Sequence, residues 1–155
     1  MTESETSVVD NDGVVLPPDH AAVLKHMDMY QSIITRMASN SAACKRWAIP
    51  LITLVLGFVV KEGQGSLAWV TVIPIIIFYI LDSYYLMLEN QFRDGFNFSA
   101  EKIGAGEFKQ SDLFKFVPKG EYWKKSLQSK ATWPVYLGLL FVVFLSAMLV
   151  VPVAG

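Results

Sequence analysis

The chain is poor in charge, histidine and cysteine. Asp, Glu, Lys and Arg make up 17% of its 155 residues, against about 25% in an ordinary soluble domain. The deficit comes from long apolar runs, not from even dilution. One cysteine, Cys44, excludes an internal disulfide, and no second cysteine or nearby histidine completes a metal site with it. Cys44 reads as a small residue on a helix beside a membrane, with palmitoylation or redox sensing as its rival roles. The two histidines, His20 and His26, are six residues apart, which puts them on opposite sides of a helix and argues against a metal pair. HExxH, GxSxG, Walker and CxxC signatures are all missing, so neither an enzyme nor a cofactor or metal site is expected. Residues 1–20 lack Lys and Arg and carry Glu3, Glu5, Asp10, Asp12 and Asp19. A signal peptide needs a basic start and an early apolar stretch, so none is expected here.

What is present divides the chain into five parts. Residues 1–18 read as a disordered acidic tail, ended by Pro17-Pro18, with Asp19 placed to cap the helix after it. Residues 19–46 read as an amphipathic helix: Leu24, Met27, Tyr30 (or Gln31), Ile34, Met37 and Ser41 step by three or four. Residues 47–88 read as a transmembrane hairpin. Its first apolar run, Trp47 to Val60, has 14 residues and reaches only about 21 Å of a ~30 Å hydrocarbon core, unless Lys45, Arg46 and Lys61 snorkel. Its second run, Leu67 to Leu88, is long enough, and Pro74 is placed to bend it. The polar turn Lys61–Ser66 joins the two. Residues 89–130 are a basic, aromatic segment, and residues 131–155 a third apolar span, with Trp133 and Tyr136 at headgroup level. The fold expected is an all-α membrane protein: three transmembrane helices plus an amphipathic helix, assembled as a homo-oligomer.

Charge counting orients it. With three spans, residues 1–46 and 89–130 share one side and hold 12 of the 13 Lys and Arg residues; Lys61 is the other. Positive charge marks the cytoplasmic side. The N-terminus and residues 89–130 are therefore expected in the cytoplasm, and the C-terminus in the periplasm or outside. The asymmetry also argues that the short first run crosses.

Asp82 is the most informative ionisable residue, because a carboxylate at membrane depth faces a bundle interior or water. Two roles remain open for it: a structural hydrogen-bond acceptor, or a pore or gate residue. Asp82, Tyr85, Glu89 and Arg93 step by three and four along one helical face. That face reads either as a seam against Arg36 or Asn40 of the first helix, or as a charged vestibule. Residues 113–130 carry a net charge of +4, with Lys115, Lys119, Lys124, Lys125 and Lys130 interleaved with Phe114, Phe116, Tyr122 and Trp123. Such a belt holds anionic lipid or stacks and neutralises an oligonucleotide. Composition does not separate these two.

One resemblance is carried by Ile34, Arg36, Met37, Asn40 and Ser41, then Trp47, then Leu81, Asp82, Tyr84, Tyr85, Leu86, Glu89, Phe92 and Arg93. Over roughly half the chain, these runs resemble small bacterial membrane effectors of nucleotide-signalling anti-phage defence of the Hailong type. The resemblance implies an oligomeric channel. It also implies a partner nucleotidyltransferase whose deoxyadenosine oligomers hold the channel shut until infection. Members often lack a tail like residues 1–18, so the resemblance gives the tail no role.

The expected function is thus a homo-oligomeric ion channel, tetrameric or larger, gated from the cytoplasm by an anionic nucleotide or DNA oligomer. Asp82, Glu89 and Tyr85 would stand at the pore or gate. Arg93, Lys115, Lys119, Trp123, Lys124 and Lys125 would hold the regulator or anionic lipid, and Arg36, Asn40 and Trp47 would be structural. The competing expectation is a non-conducting scaffold that docks a cytoplasmic partner. A further reading has the acidic tail plug a cationic vestibule.

Overall fold

The computed structural model describes residues 13–118 and 120–150. Lys119 and most of the acidic tail, residues 1–12, lie outside it. A single helix, α1, runs from Ala21 to Glu62. The boundary read at residue 46 is a change of composition, not of backbone. The residues that α1 buries are Val23, His26, Tyr30, Ile34, Ser41, Cys44, Ala48, Ile52, Leu56 and Val59. They fall three, four or seven apart, so one stripe runs the length of the helix. At its start the stripe is displaced by one residue from the expected one: Val23 and His26 turn inward, and Leu24 is 59% exposed. The cap also differs. His20, not Asp19, caps the start of the helix, its Nδ1 accepting from the Ala22 N–H at 3.2 Å. Pro50 removes one bond from the helical ladder, yet the helix continues through it.

The turn is made by glycine. Gly63 takes a left-handed conformation (φ 66°) and its N–H donates to the Val60 carbonyl at 3.2 Å, closing α1. A 3-10 helix, Gly65–Thr71, leads into α2, Val72–Gly104. Pro74 falls in the first turn of α2, where its missing N–H has no intrahelical partner in any case. The change of helix type lies before it, at Thr71–Val72. α2 then continues past Leu88, where the apolar run ends. A 3-10 turn, Gln110–Asp112, a short helix α3, Trp123–Leu127, and α4, Trp133–Leu149, complete the chain.

α1 and α2 pack against each other along their length, and α4 lies across the 3-10 helix and both long helices. The core of the apolar half joins Ala48, Ile52, Leu56 and Val59 of α1 to Ala68, Ile75, Tyr136 and Val143. A second small core at the charged end joins Leu16, Val23 and Phe108. It exists because the end of the tail folds back. Leu16 N–H donates to the Phe108 carbonyl at 2.8 Å, and Gln110 N–H to the Val14 carbonyl at 2.9 Å. The last residues of the expected irregular tail are therefore tied down by an isolated bridge, Val15 to Lys109.

Among the described residues the fold is all-helical apart from that bridge. Two helical stretches, Ala21–Glu62 and Gly65–Gly104, are long and apolar enough to cross a membrane, and only 28% of the most apolar window of each is buried. A soluble core helix would be mostly covered. Here Trp47, Leu54, Ile73 and Leu149 all point outward. α4 is apolar and shorter, with 17 residues, or about 26 Å.

Candidate functional site

The first site is the seam where the charged and apolar halves of α1 and α2 meet. Asp82 is fully buried on α2. Lys45 of α1 brings its ammonium to 2.6 Å from Oδ2 and 2.8 Å from Oδ1. Ser41, one turn earlier, donates to Oδ1 at 2.5 Å. Ser41 and Lys45 share a face because they are four residues apart, and Asp82 meets that face because the hairpin runs α2 back past α1. A buried carboxylate persists when it is paired and hydrogen-bonded, and here both oxygens are engaged within one chain. Asp82 thus accepts from Ser41 and Lys45 across the helix pair, a contact that leaves both its structural and its gate role open. The sequence singled out Asp82 but missed its partners, since Lys45 read as a snorkelling flank. Cys44 is buried in the same seam, where it fills space.

The face expected to continue from Asp82 does so only in part. Tyr85 is half-buried, with its ring 5.8 Å from that of Tyr84. Glu89 pairs with Arg93 on its own helix at 2.8 Å, so the pair is a rung of α2 and not a bond to α1. Arg36 is exposed, Asn40 half-buried, and Trp47 70% exposed at the edge of the apolar surface. Arg93 does border a groove of about 340 Å³ between the two long helices, with Gln31, Thr35, Asn97 and Phe96. One guanidinium, two amides, a hydroxyl and a ring make a suitable seat for an anion carrying a planar group. Thr35 and Asn97 carry no signal in the sequence, and Gln31 only as the alternative to Tyr30 on the stripe of the first helix, because their proximity is set by the register of the hairpin.

The basic belt forms a separate surface. Gln91 donates to the Gly120 carbonyl at 2.8 Å, and the Tyr122 hydroxyl bonds the Asp94 carboxylate. The bond to Asp94 raises the Tyr122 phenol above its ordinary value. Residues 120–122 therefore lie on the flank of α2 that carries Gln91 and Asp94, and Arg93 borders the groove toward α1. Trp123, Lys124 and Lys125 are exposed, with the Lys125 ammonium 5.1 Å from the Tyr122 ring. Lys115 is exposed and its carbonyl accepts from the Tyr30 hydroxyl at 3.4 Å. Lys119 is outside the described residues.

Between these surfaces lies an aromatic cap centred on a buried histidine. His26 Nδ1 accepts from the Phe114 N–H at 3.0 Å, and Phe114 holds a left-handed φ of 56°. That bond fixes the neutral tautomer with its proton on Nε2. The imidazole stacks on Phe116 at 5.0 Å and meets Tyr30 edge-on at 5.1 Å. Burial lowers its pKa, and Asp112 opposes that shift. Burial works against the ionised Asp112, but the Lys109 N–H and the Lys102 ammonium at 3.1 Å hold its carboxyl below its ordinary value. No protein-family model, curated protein or solved structure matches the chain.

Proposed function

We propose that the chain is a homo-oligomeric ion channel of a bacterial inner membrane, opened or closed by an anionic nucleotide or DNA oligomer in the cytoplasm. The single observation that carries this reading is the Lys45–Asp82 pair, bonded where the two long helices pass from charged to apolar surface. Ionisable groups at such a depth mark ion pathways or the devices that control them. The reading takes α1, α2 and α4 as three spans, with 12 of 13 cationic side chains on the cytoplasmic side. One chain has too few spans to enclose a pore, so subunits must assemble, and the state proposed is a tetramer or larger ring. An anion entering the α1–α2 groove would compete with Glu89 for Arg93 and bias how the two helices lie. The pair passes that bias to the apolar half. Opening would depolarise the membrane and arrest growth. The setting in anti-phage defence rests on the sequence resemblance.

The scaffold reading is favoured by one observation: both Asp82 oxygens lie within 2.8 Å of the Lys45 ammonium of the same chain. Purified protein in planar bilayers decides. The channel reading expects unitary conductance that Lys45→Met changes, and depolarisation of cells that express the chain. Silent bilayers at all voltages, with growth unaffected by overexpression, would sink it in favour of the scaffold.

A further inference from the structure

The apolar surface is grooved between α2 and α4. A cavity of about 200 Å³ opens between Ile75 and Ile76 on one side and Trp133, Leu137 and Leu140 on the other. Two tyrosines also border it, and both hydroxyls are turned to the backbone. Tyr79 donates to the Leu127 carbonyl at 2.7 Å and Tyr136 to the Phe78 carbonyl at 3.2 Å. The groove therefore presents carbon. On the other flank of Trp133, Leu137 and Leu140 lies a second depression, which also takes in Gly138. A Cβ at Gly138 would meet nothing within 4 Å. Two troughs thus flank one ridge.

The polar end of this ridge is cationic. The chain enters α4 through a turn in which Thr132 and Trp133 N–H groups donate to the Ser129 carbonyl at 2.9 and 3.1 Å, leaving Lys130 exposed. α3, tied to the groove wall through Tyr79, adds Lys124 and Lys125. Among the described residues, no ion pair neutralises these three lysines. A ridge between two carbon troughs with positive charge at one end matches one chemistry: two acyl chains joined to a phosphate. A second copy of this chain matches less well, because the residue that flanks the apolar run of its α1, Arg46, is exposed and again positive.

We propose that α2, α3 and α4 form a specific site for one anionic glycerophospholipid. Its chains straddle the Trp133–Leu137–Leu140 ridge and its phosphate rests on Lys124 and Lys130. The site rests on the membrane reading of the chain, but not on ion conduction. It is also more than a charged belt, because the troughs select for a two-chain lipid and the lysines for its headgroup.

Full-length protein in vesicles of equal phosphatidylglycerol and phosphatidylcholine, extracted in mild detergent and weighed by native mass spectrometry, tests the site. One phosphatidylglycerol retained per chain, with a preference of about tenfold over phosphatidylcholine, is expected. Leu137→Trp should empty the groove of either lipid. Gly138→Phe, which has open space to enter, should reduce retention severalfold without disturbing the fold. Lys124→Gln with Lys130→Gln should abolish the preference but keep retention. Equal retention of both lipids by the wild type, or retention unchanged in both trough variants, overturns the site. Loss of a second protein chain in place of a lipid would assign the ridge to a subunit contact and also overturn it. Flotation with the vesicles is read separately: a chain that does not float removes the membrane reading itself.

Discussion

Lys45 and Asp82, 37 residues apart in the chain, meet across the two long helices with a nitrogen–oxygen separation of 2.6 Å. Asp82 is fully enclosed, and Lys45 keeps 23% of its side chain exposed. Removing either partner leaves an uncompensated charge in the seam. Asp82→Leu or Lys45→Met alone should destabilise the helix pair by roughly 3–5 kcal/mol, and the double variant should recover most of that loss. Denaturant titration in detergent, followed by helical signal, measures the cycle. Additive losses in the double variant would show that the pair does not act as a unit.

His26 gives the charged end a pH dependence of definite sign. Its folded pKa lies below the ordinary 6.5 because burial disfavours the cation. The unfolded chain then binds more protons than the folded one as pH falls through 6.5, so stability is full above that value and declines below it. His26→Asn, which offers an oxygen to the Phe114 N–H but does not titrate, should flatten the decline. Thermal melts between pH 7.5 and 5 resolve the difference, and an unchanged slope in the variant would refute the assignment.

Two glycines in the apolar half predict opposite results. A Cβ at Gly65 would lie 2.7 Å from the Ala147 carbonyl oxygen, a backbone atom that cannot swing aside, whereas one at Gly57 meets nothing within 4 Å. Gly65→Ala should therefore loosen α4 and lower stability by about 1–3 kcal/mol. Gly57→Ala, in mid-helix, should be neutral or stabilise by up to about 1 kcal/mol. Unfolding midpoints of the two variants side by side provide the check.

The tail end should be protected from exchange. Leu16 and Gln110 amides are bonded across the isolated bridge, and Leu16 is 8% exposed against Val23 and Phe108. Leu16→Ala removes that packing, at roughly 2–3 kcal/mol. It should speed hydrogen exchange at Gln110 far more than at Ile52. Fast exchange at Gln110 in the wild type would count against the bridge.

Much of the architecture was legible because hydropathy is local. The hairpin turn, the apolar runs and the singular position of Asp82 all come from short stretches of residues. Partnerships were not legible. That Lys45 answers Asp82, that Phe114 donates to His26, and that Arg93 shares a groove with Thr35 each depend on the register of distant segments. The stripe of α1 was misplaced by one residue, from Val23 to Leu24, for a related reason. Early in α1, adjacent apolar residues give two similar helical faces, and only Phe108 and Leu16, from elsewhere in the chain, decide between them.

The continuity of α1 has a mechanical consequence. A helix that continues from Ala21 to Glu62, through Pro50, carries a tilt from one end to the other: about 5° about Lys45 moves the tip at Glu62, roughly 25 Å away, by about 2 Å. A modest push at the charged end of α1 would thus shift its apolar end and whatever packs there.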